Sequence, residues 1–219
     1  MPMSGLPYNE LFLSCVQTLQ MVCISGAISL SLGLPLALVL VSTSSQGIAP
    51  QSWLNRLVGG VVNAIRSVPF IILLVAVIPI TRLVVGTAIG TAAAIVPLAI
   101  AATPYYARMA EVSLREVEPG LIEAVRAMGG SRLQIIREVL IPEALPGLIS
   151  GFIVTFVTLI GASAMAGVVG AGGLGNLAIE YGYDEFNTSV VIAVVLILIL
   201  FVWGVQWGGD RLSAHFNRR

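Results

Sequence analysis

Glu123-Ala124-Val125-Arg126-Ala127-Met128-Gly129-Gly130-Ser131, followed by Val139-Leu140-Ile141-Pro142, lies at the centre of a polar island in an otherwise oily chain. Residues 108–143 gather half of all the charged side chains. The 219-residue sequence as a whole is 57% hydrophobic and 10% charged, with a mean hydropathy of +0.97. A polar stretch of this size in such a background must sit in water or against a soluble partner.

Working outward from the island, apolar runs of about 20 residues recur on both sides, each matched to the thickness of a bilayer. That excludes a soluble globule. The runs are far longer than the alternating strands of roughly 10 residues that build a membrane barrel, and lipid offers no water to unpaired backbone groups, so the expected class is an all-α polytopic membrane protein. Five spans fit the pattern. The first covers residues 19–41, interrupted by Gly26, Gly33 and Pro35. The second covers 57–80 and contains Asn63, Arg66 and Pro69, so that its start lies along the surface and its core begins near Ser67. The third covers 86–106, with Gly86 and Gly90 at the GxxxG spacing that favours close helix packing. The fourth and fifth cover 148–169 and 189–207.

Arginines orient these spans, because positively charged loops stay in the cytoplasm. With the N-terminus outside and the C-terminus inside, Arg56, Arg66, the arginines of the island, and Arg211, Arg218 and Arg219 are cytoplasmic, leaving only Arg82 outside. Residues 1–219 then form a single transmembrane domain with a cytoplasmic loop at about 108–146. The first ten residues carry no positive charge and the apolar run after them is too long for a signal core, so a retained first span is expected.

Certain chemistries are excluded by what the chain lacks. Every basic residue apart from His215 is an arginine, and a P-loop needs a lysine on the phosphates, so ATP hydrolysis through a P-loop requires another subunit. The single histidine, in a basic tail, cannot build a metal site or proton relay. Cys15 and Cys23 read as small hydrophobes of the first span rather than as a disulfide or metal pair. No catalytic and no metal-binding residue is expected.

Within the island, Pro119 suits the first turn of a helix that runs to Met128 and carries Glu123, Ala124 and Ala127. Gly129-Gly130 ends it. Ser131 and Gln134 have the form of a capping box opening a second helix, in which Leu133, Ile136 and Leu140 repeat on one face and which Pro142 is expected to stop. The chain then re-enters the membrane from about Leu145. Pattern alone leaves two uses open: a turn protruding into a partner's groove, or an amphipathic connector lying on the bilayer.

The spacing resembles the EAA loop of ABC importer permeases: Glu-Ala-Ala, three residues, Gly, nine residues, Ile, any residue, Leu-Pro. Glu123, Ala124, Gly129 and Pro142 match outright, whereas Val125, Val139 and Ile141 are conservative departures. The resemblance implies a type I importer permease fold. It also implies that Glu123, Ala124, Ala127, Met128 and Gly129 dock on a separate ATPase, supported by Ser131, Val139 and Pro142. Further similarity to methionine-importing members of the family lies in Arg66-Ser67-Val68-Pro69-Phe70, Pro142-Glu143-Ala144-Leu145-Pro146-Gly147, and Ser163-Ala164-Met165 with the glycine-rich run after it. From this follow an L- or D-methionine substrate, a second copy of the chain, two ABC ATPase subunits that use ATP and Mg, an external substrate-binding (lipo)protein, and the bacterial inner membrane. No cofactor on this chain and no nucleic-acid partner is implied.

Several weaker signals remain. Gly170-Ala171-Gly172-Gly173-Leu174-Gly175 satisfies GxGxxG, but it follows a span instead of a strand and reads as a flexible outer turn or gate rather than a nucleotide site. Glu180, Tyr181, Tyr183, Asp184 and Glu185 read as interfacial anchors and solvated charges, or as a contact for an external binding protein. Thr155, Thr158, Ala162 and Met165 recur on one helical face, either for packing or to line a substrate pathway. Arg66 either snorkels to the cytoplasmic surface or pairs. An intramembrane enzyme lacks convergent ionisable groups, and a channel or secondary transporter lacks repeats or buried coupling charges. A permease for another amino acid remains the nearest rival.

Overall fold

In the computed structural model, which describes residues 8–216, the described residues are helices and connecting turns. Arg218 and Arg219 lie outside the described residues. The chain opens with α1 (Tyr8–Thr43), 36 residues and so about 54 Å long, well beyond the roughly 30 Å of hydrocarbon. Its end is capped by its own sequence. Thr43 and Ser44 hydroxyls donate to the Val39 and Val41 carbonyls at 2.7 and 2.8 Å, and Ala49 and Gln51 amides fold back to Ser42 and Thr43.

Next comes α2 (Ser52–Ser67), which ends where Val68 is forced out of helical geometry by Pro69. The following α3 (Phe70–Ala76) leaves at 106° to it, so the expected second span is a broken one that begins its new direction at Phe70. A short α4 (Ile78–Val85) is terminated by Gly86 in the left-handed conformation, φ +83°. Gly90 also has positive φ and sits before α5 (Thr91–Arg115). The expectation that Gly86 and Gly90 form a helix-packing GxxxG is therefore wrong. Both residues lie in the connection, where the backbone needs the conformation only glycine adopts freely, and the helix starts later and runs nine residues further than Tyr106.

Beyond α6 (Pro119–Ala127), α7 begins at Arg132 and continues unbroken to Gly167. Pro142 does not stop it, contrary to expectation. Residues Ile135–Leu140 form π-helical turns, with the Ile141 amide donating to the Ile136 carbonyl five residues back. This wider turn relieves the clash and missing donor that a proline otherwise brings to a helix. The short α8 (Gly173–Leu177) leads into a second π-helical stretch (Ala178–Asp184), and α9 (Thr188–Phe216) completes the chain. Among the described residues α1, α7 and α9 are long and apolar enough to cross a membrane, with a fourth crossing if α2 and α3 count as one bent span. At 25 residues α5 has the length, but Pro97, Thr103, Pro104, Tyr105, Tyr106 and the charges from Arg108 onward make it less apolar.

Two compact units arise from this path. The first takes the described residues up to Ala27 with Val68–Ala102 and Phe156–Gln206; the second takes Ile28–Ser67, Thr103–Thr155 and the described residues from Trp207. In the first unit, Met21, Leu74, Leu98, Leu159 and Ala166 pack together, and Leu11, Leu174, Leu177 and Val190 form a neighbouring cluster. Helices in lipid associate by close contact and not by the hydrophobic effect, so small residues set the distance. A Cβ on Gly175 would stand 2.2 Å from the Ala164 carbonyl, and one on Gly167 would stand 2.3 Å from the Asn176 amide.

In the second unit, Tyr106 is fully buried among Ala37, Ala110, Leu114, Leu140 and Leu148, edge-on to Phe152 at 5.6 Å. Gly33 makes room for it. A Cβ there would lie 2.9 Å from both the Tyr106 ring and the Thr103 carbonyl.

Gly175→Ala is expected to destabilise the folded chain by about 1–3 kcal/mol, because backbone must move to admit the methyl group. Gly204→Ala, in α9 with nothing within 4 Å of the added carbon, should leave stability unchanged or raise it. Thermal unfolding in detergent measures the difference, and equal midpoints for the two variants would overturn the packing argument.

Candidate functional site

The polar island folds into a helix, a glycine turn and a second helix start. Pro119 occupies the first turn of α6, where its missing N–H costs nothing. At the far end the chain closes as a Schellman motif: the Gly130 amide donates to Val125 O at 2.9 Å and the Gly129 amide to Arg126 O at 3.0 Å. Gly129 has φ +79° and open space where a Cβ would go. The expected capping box then starts α7, with the Gln134 amide donating to Ser131 Oγ at 3.3 Å and the Ser131 amide to Gln134 Oε1 at 2.8 Å.

The amides of Met128, Gly129, Gly130 and Ser131 are all bonded within the turn, and several of its side chains face outward. Glu123, Ala124, Ala127, Met128 and Gly129 are all exposed, and Met128 is 79% accessible. Ile122 and Val125 turn the other way and pack against the cluster of Leu114, Val117 and Ile135. Thus α6 is held by one side and bare on the other.

Among the supporting residues, Val139 is buried while Ser131 and Pro142 are exposed. The expected apolar face of the second helix is only partly right: Leu133 is 61% exposed, and Ile135, Val139, Leu140 and Ala144 make the inner face. A uniform 3.6-residue period missed this, because the π-helical turns shift the phase of the helix.

Two features were not anticipated: one joins distant segments and has no local signal, whereas the other follows the i,i+3 and i,i+4 charge spacing of a helix. The Arg126 guanidinium donates to the Gly47 carbonyl at 3.4 Å, tying α6 to the connection after α1. A cavity of about 530 Å³ lies beside this tie, bordered by Gln46, Ile48, Arg115, Ile122 and Glu123. Contacts between residues 79 positions apart leave no periodic trace. On α5, the carboxylate of Glu111 is buried and shared by two guanidinia: Arg108 through Nη1, and Arg115 through Nε and Nη2 at 3.0 and 2.8 Å.

The four residues expected on a pathway face divide. Thr155 is buried, its hydroxyl donating to Gly151 O at 2.8 Å, and Ala162 is half-buried. Thr158 and Met165 belong instead to an exposed stripe of α7 with Val154, Gly161 and Val168. Elsewhere, the glycine-rich run is closely packed. Gly173 and Leu174 amides donate to Gln17 Oε1 and Thr18 Oγ1 of α1 at 2.7 and 2.9 Å. Of the acidic-aromatic stretch, Tyr183, Asp184 and Glu185 are exposed, and the Tyr181 phenol is pushed up to about 12, chiefly by its hydrogen bond to Glu10 and also by burial and by surrounding carboxylates. Arg66 stands over the Tyr105 ring at 5.9 Å, so it pairs with an aromatic face.

Comparison with known proteins gives this geometry a context. Residues 25–219 match the family model described as "Binding-protein-dependent transport system inner membrane component". The "Probable D-methionine transport system permease protein MetI" of Vibrio cholerae is 50% identical over 203 residues, which is 93% of this chain and 90% of that protein. The "Methionine import system permease protein MetP" of Bacillus subtilis is 41% identical over 181 residues, 83% of this chain and 82% of that one. Among solved structures, a chain from inward-facing conformations of the MetNI methionine ABC transporter superposes with a TM-score of 0.96 at 46% identity, covering 99% of this chain and 100% of that one.

Left-handed backbone costs a non-glycine residue about 1–2 kcal/mol, and asparagine less. Since nothing else crowds Gly129, amide exchange at Gly130 should quicken in the order Gly129→Asn, Gly129→Ala, Gly129→Val. Identical exchange in all three would show that the turn does not depend on its glycine.

Proposed function

Because the chain belongs to the family of binding-protein-dependent transport system inner membrane components, we propose that it is the permease subunit of an ATP-driven importer that moves methionine across the inner membrane. It is a multi-pass membrane protein and a transport component. The observation that carries the reading is the outward face of α6 and the turn after it, where Glu123, Ala124, Ala127, Met128 and Gly129 are exposed while Ile122 and Val125 are anchored. Methionine as substrate is supported by the names of the relatives, which cover nearly the whole chain.

In this reading the membrane is crossed five times, by α1, the bent α2–α3 pair, α5, α7 and α9, with the N-terminus outside and the C-terminus in the cytoplasm. One such chain has little scope to enclose a gated route, so a symmetric pair with the route along its axis completes the transporter. Each copy presents Glu123, Ala124, Ala127, Met128 and Gly129 to one ATPase subunit, which holds the ATP and Mg. Ser131, Val139 and Pro142 support that contact by fixing where α7 begins. Closure of the ATPases draws the two turns together, and the motion passes into α7, which starts three residues beyond Gly129. An external binding protein delivers either enantiomer of the amino acid. Along the route, Thr158 and Met165 on the exposed stripe of α7 offer a hydroxyl and a polarizable thioether to the cargo, flanked by Thr155 and Ala162.

Ala124→Trp places bulk on the exposed side of α6 without touching its anchored side. Losing a central interface contact of about 2 kcal/mol weakens association by roughly thirtyfold. Co-purification with the cognate ATPase should fall accordingly while the permease keeps its unfolding midpoint; undiminished complex and undiminished transport-coupled ATP turnover would refute the docking role. Uptake in reconstituted vesicles tests the cargo. Unlabelled L- or D-methionine should compete with labelled methionine and serine should not, and a lack of competition by both enantiomers rules methionine out.

A further inference from the structure

In the second unit a cavity of about 780 Å³ lies between α2 and α5, and its walls carry Arg56, Arg108, Arg115, Asn55, Asn63 and Glu111. Three guanidinia face one carboxylate there. Glu111 takes one donor from Arg108 and two from Arg115, so further N–H groups on both are unused among the described residues. Arg56 makes no ion pair among the described residues. Asn55 is held by α1, its amide donating to Leu40 O at 2.6 Å and Thr43 Oγ1 at 3.1 Å, so the wall that carries Arg56 is fixed.

Helix α2 is divided lengthwise. Asn55, Arg56, Gly59, Gly60 and Asn63 border the cavity, whereas Trp53, Leu57 and Val61, spaced four residues apart, form an exposed apolar strip. A helix with tryptophan and leucine on one side and arginine on the other lies at the boundary between acyl chains and headgroups. An anion that reaches a cavity with two surplus positive charges at that depth is tethered to acyl chains.

We propose that this cavity binds the phosphate headgroup of an anionic phospholipid, with its acyl chains beside Trp53, Leu57 and Val61. Arg56 and the free donors of Arg108 and Arg115 hold the phosphate oxygens, the geometry in which guanidinium is strongest. Asn63 borders the same cavity and is placed to donate to a phosphate or ester oxygen of the lipid. The lipid neutralises part of the surplus charge.

The test uses the permease in complex with its ATPase, purified from nanodiscs and examined by native mass spectrometry for retained lipid. Phosphatidylglycerol should be retained in preference to phosphatidylcholine. One basic residue near an anionic surface contributes about 1 kcal/mol, which corresponds to about fivefold, so Arg56→Gln should lower retention of phosphatidylglycerol by about that factor or more. Arg82→Gln, an exposed arginine of α4, should leave it unchanged. Equal retention of the two lipids by the wild-type complex overturns the proposal, and does so even if Arg56→Gln fails to fold. Displacement of the lipid by inorganic phosphate alone would assign the cavity to a soluble anion, and a cavity filled by the second copy would exclude the lipid; either result also overturns it. Transport of methionine is a separate question and survives any of these outcomes.

Discussion

A backbone amide that leaves a helix loses its carbonyl partner, and this structure meets that constraint with side chains sent from another helix. Gly173 and Leu174 hand their N–H groups to Gln17 and Thr18 of α1. The other side of the same turn is bonded to the start of α5, through the Gly90 amide to Gly170 O at 2.9 Å and the Thr91 hydroxyl to Ala171 O at 3.3 Å. Glycine is required for this approach, since a Cβ on Gly173 would stand 2.7 Å from the Thr18 hydroxyl that completes the pattern. The run therefore looks like a nucleotide fingerprint for a reason unrelated to nucleotides. Two of the amide donors that would cradle a phosphate are already spent on the membrane domain.

The second unit solves a different problem, that of keeping charge near a membrane without leaving it unpaired. Removing an ion from water costs several kcal/mol even after relaxation, and Glu111 is nearly inaccessible. Two arginines at three and four residues' distance on α5 meet it, so the carboxylate fixes their heads at one level of the helix. Either arginine alone would satisfy the charge. Using both leaves the site net positive, which gives the neighbouring cavity its affinity for anions and ties that cavity to the same residues that stabilise the end of α5.

How much of this was legible beforehand depended on the range of the interaction. The all-helical class, the glycine turn, the capping box and the exposure of Glu123 and Met128 followed from neighbours within a few residues, and local rules decided them. Gly86 and Gly90 show the limit of such rules, because GxxxG spacing is the same in a helix and in a connection and only their positive φ tells the two apart. Pro142 was misread because π-helical turns are a compromise among packing, proline and helix continuation that a fixed 3.6-residue period does not represent. The Arg126 to Gly47 tie and the side-chain acceptors for the glycine run bring distant segments together and leave no local trace, whereas Arg108, Glu111 and Arg115 stand at the i,i+3 and i,i+4 spacing that marks helical ion pairs.

The failure to stop at Pro142 bears directly on how the docking turn can act. If the helix ended there, displacement of α6 would be absorbed by a loose connection between the turn and the membrane. Instead the backbone passes from the capping box through the π-helical turns into a helix that reaches Gly167. The π-helical turns place Ile135, Val139 and Leu140 on the inner face together, so the rod is gripped by the core close to its start. In the docking role proposed for Glu123 and Met128, a push on them reaches α7 through the buried cluster close to its start.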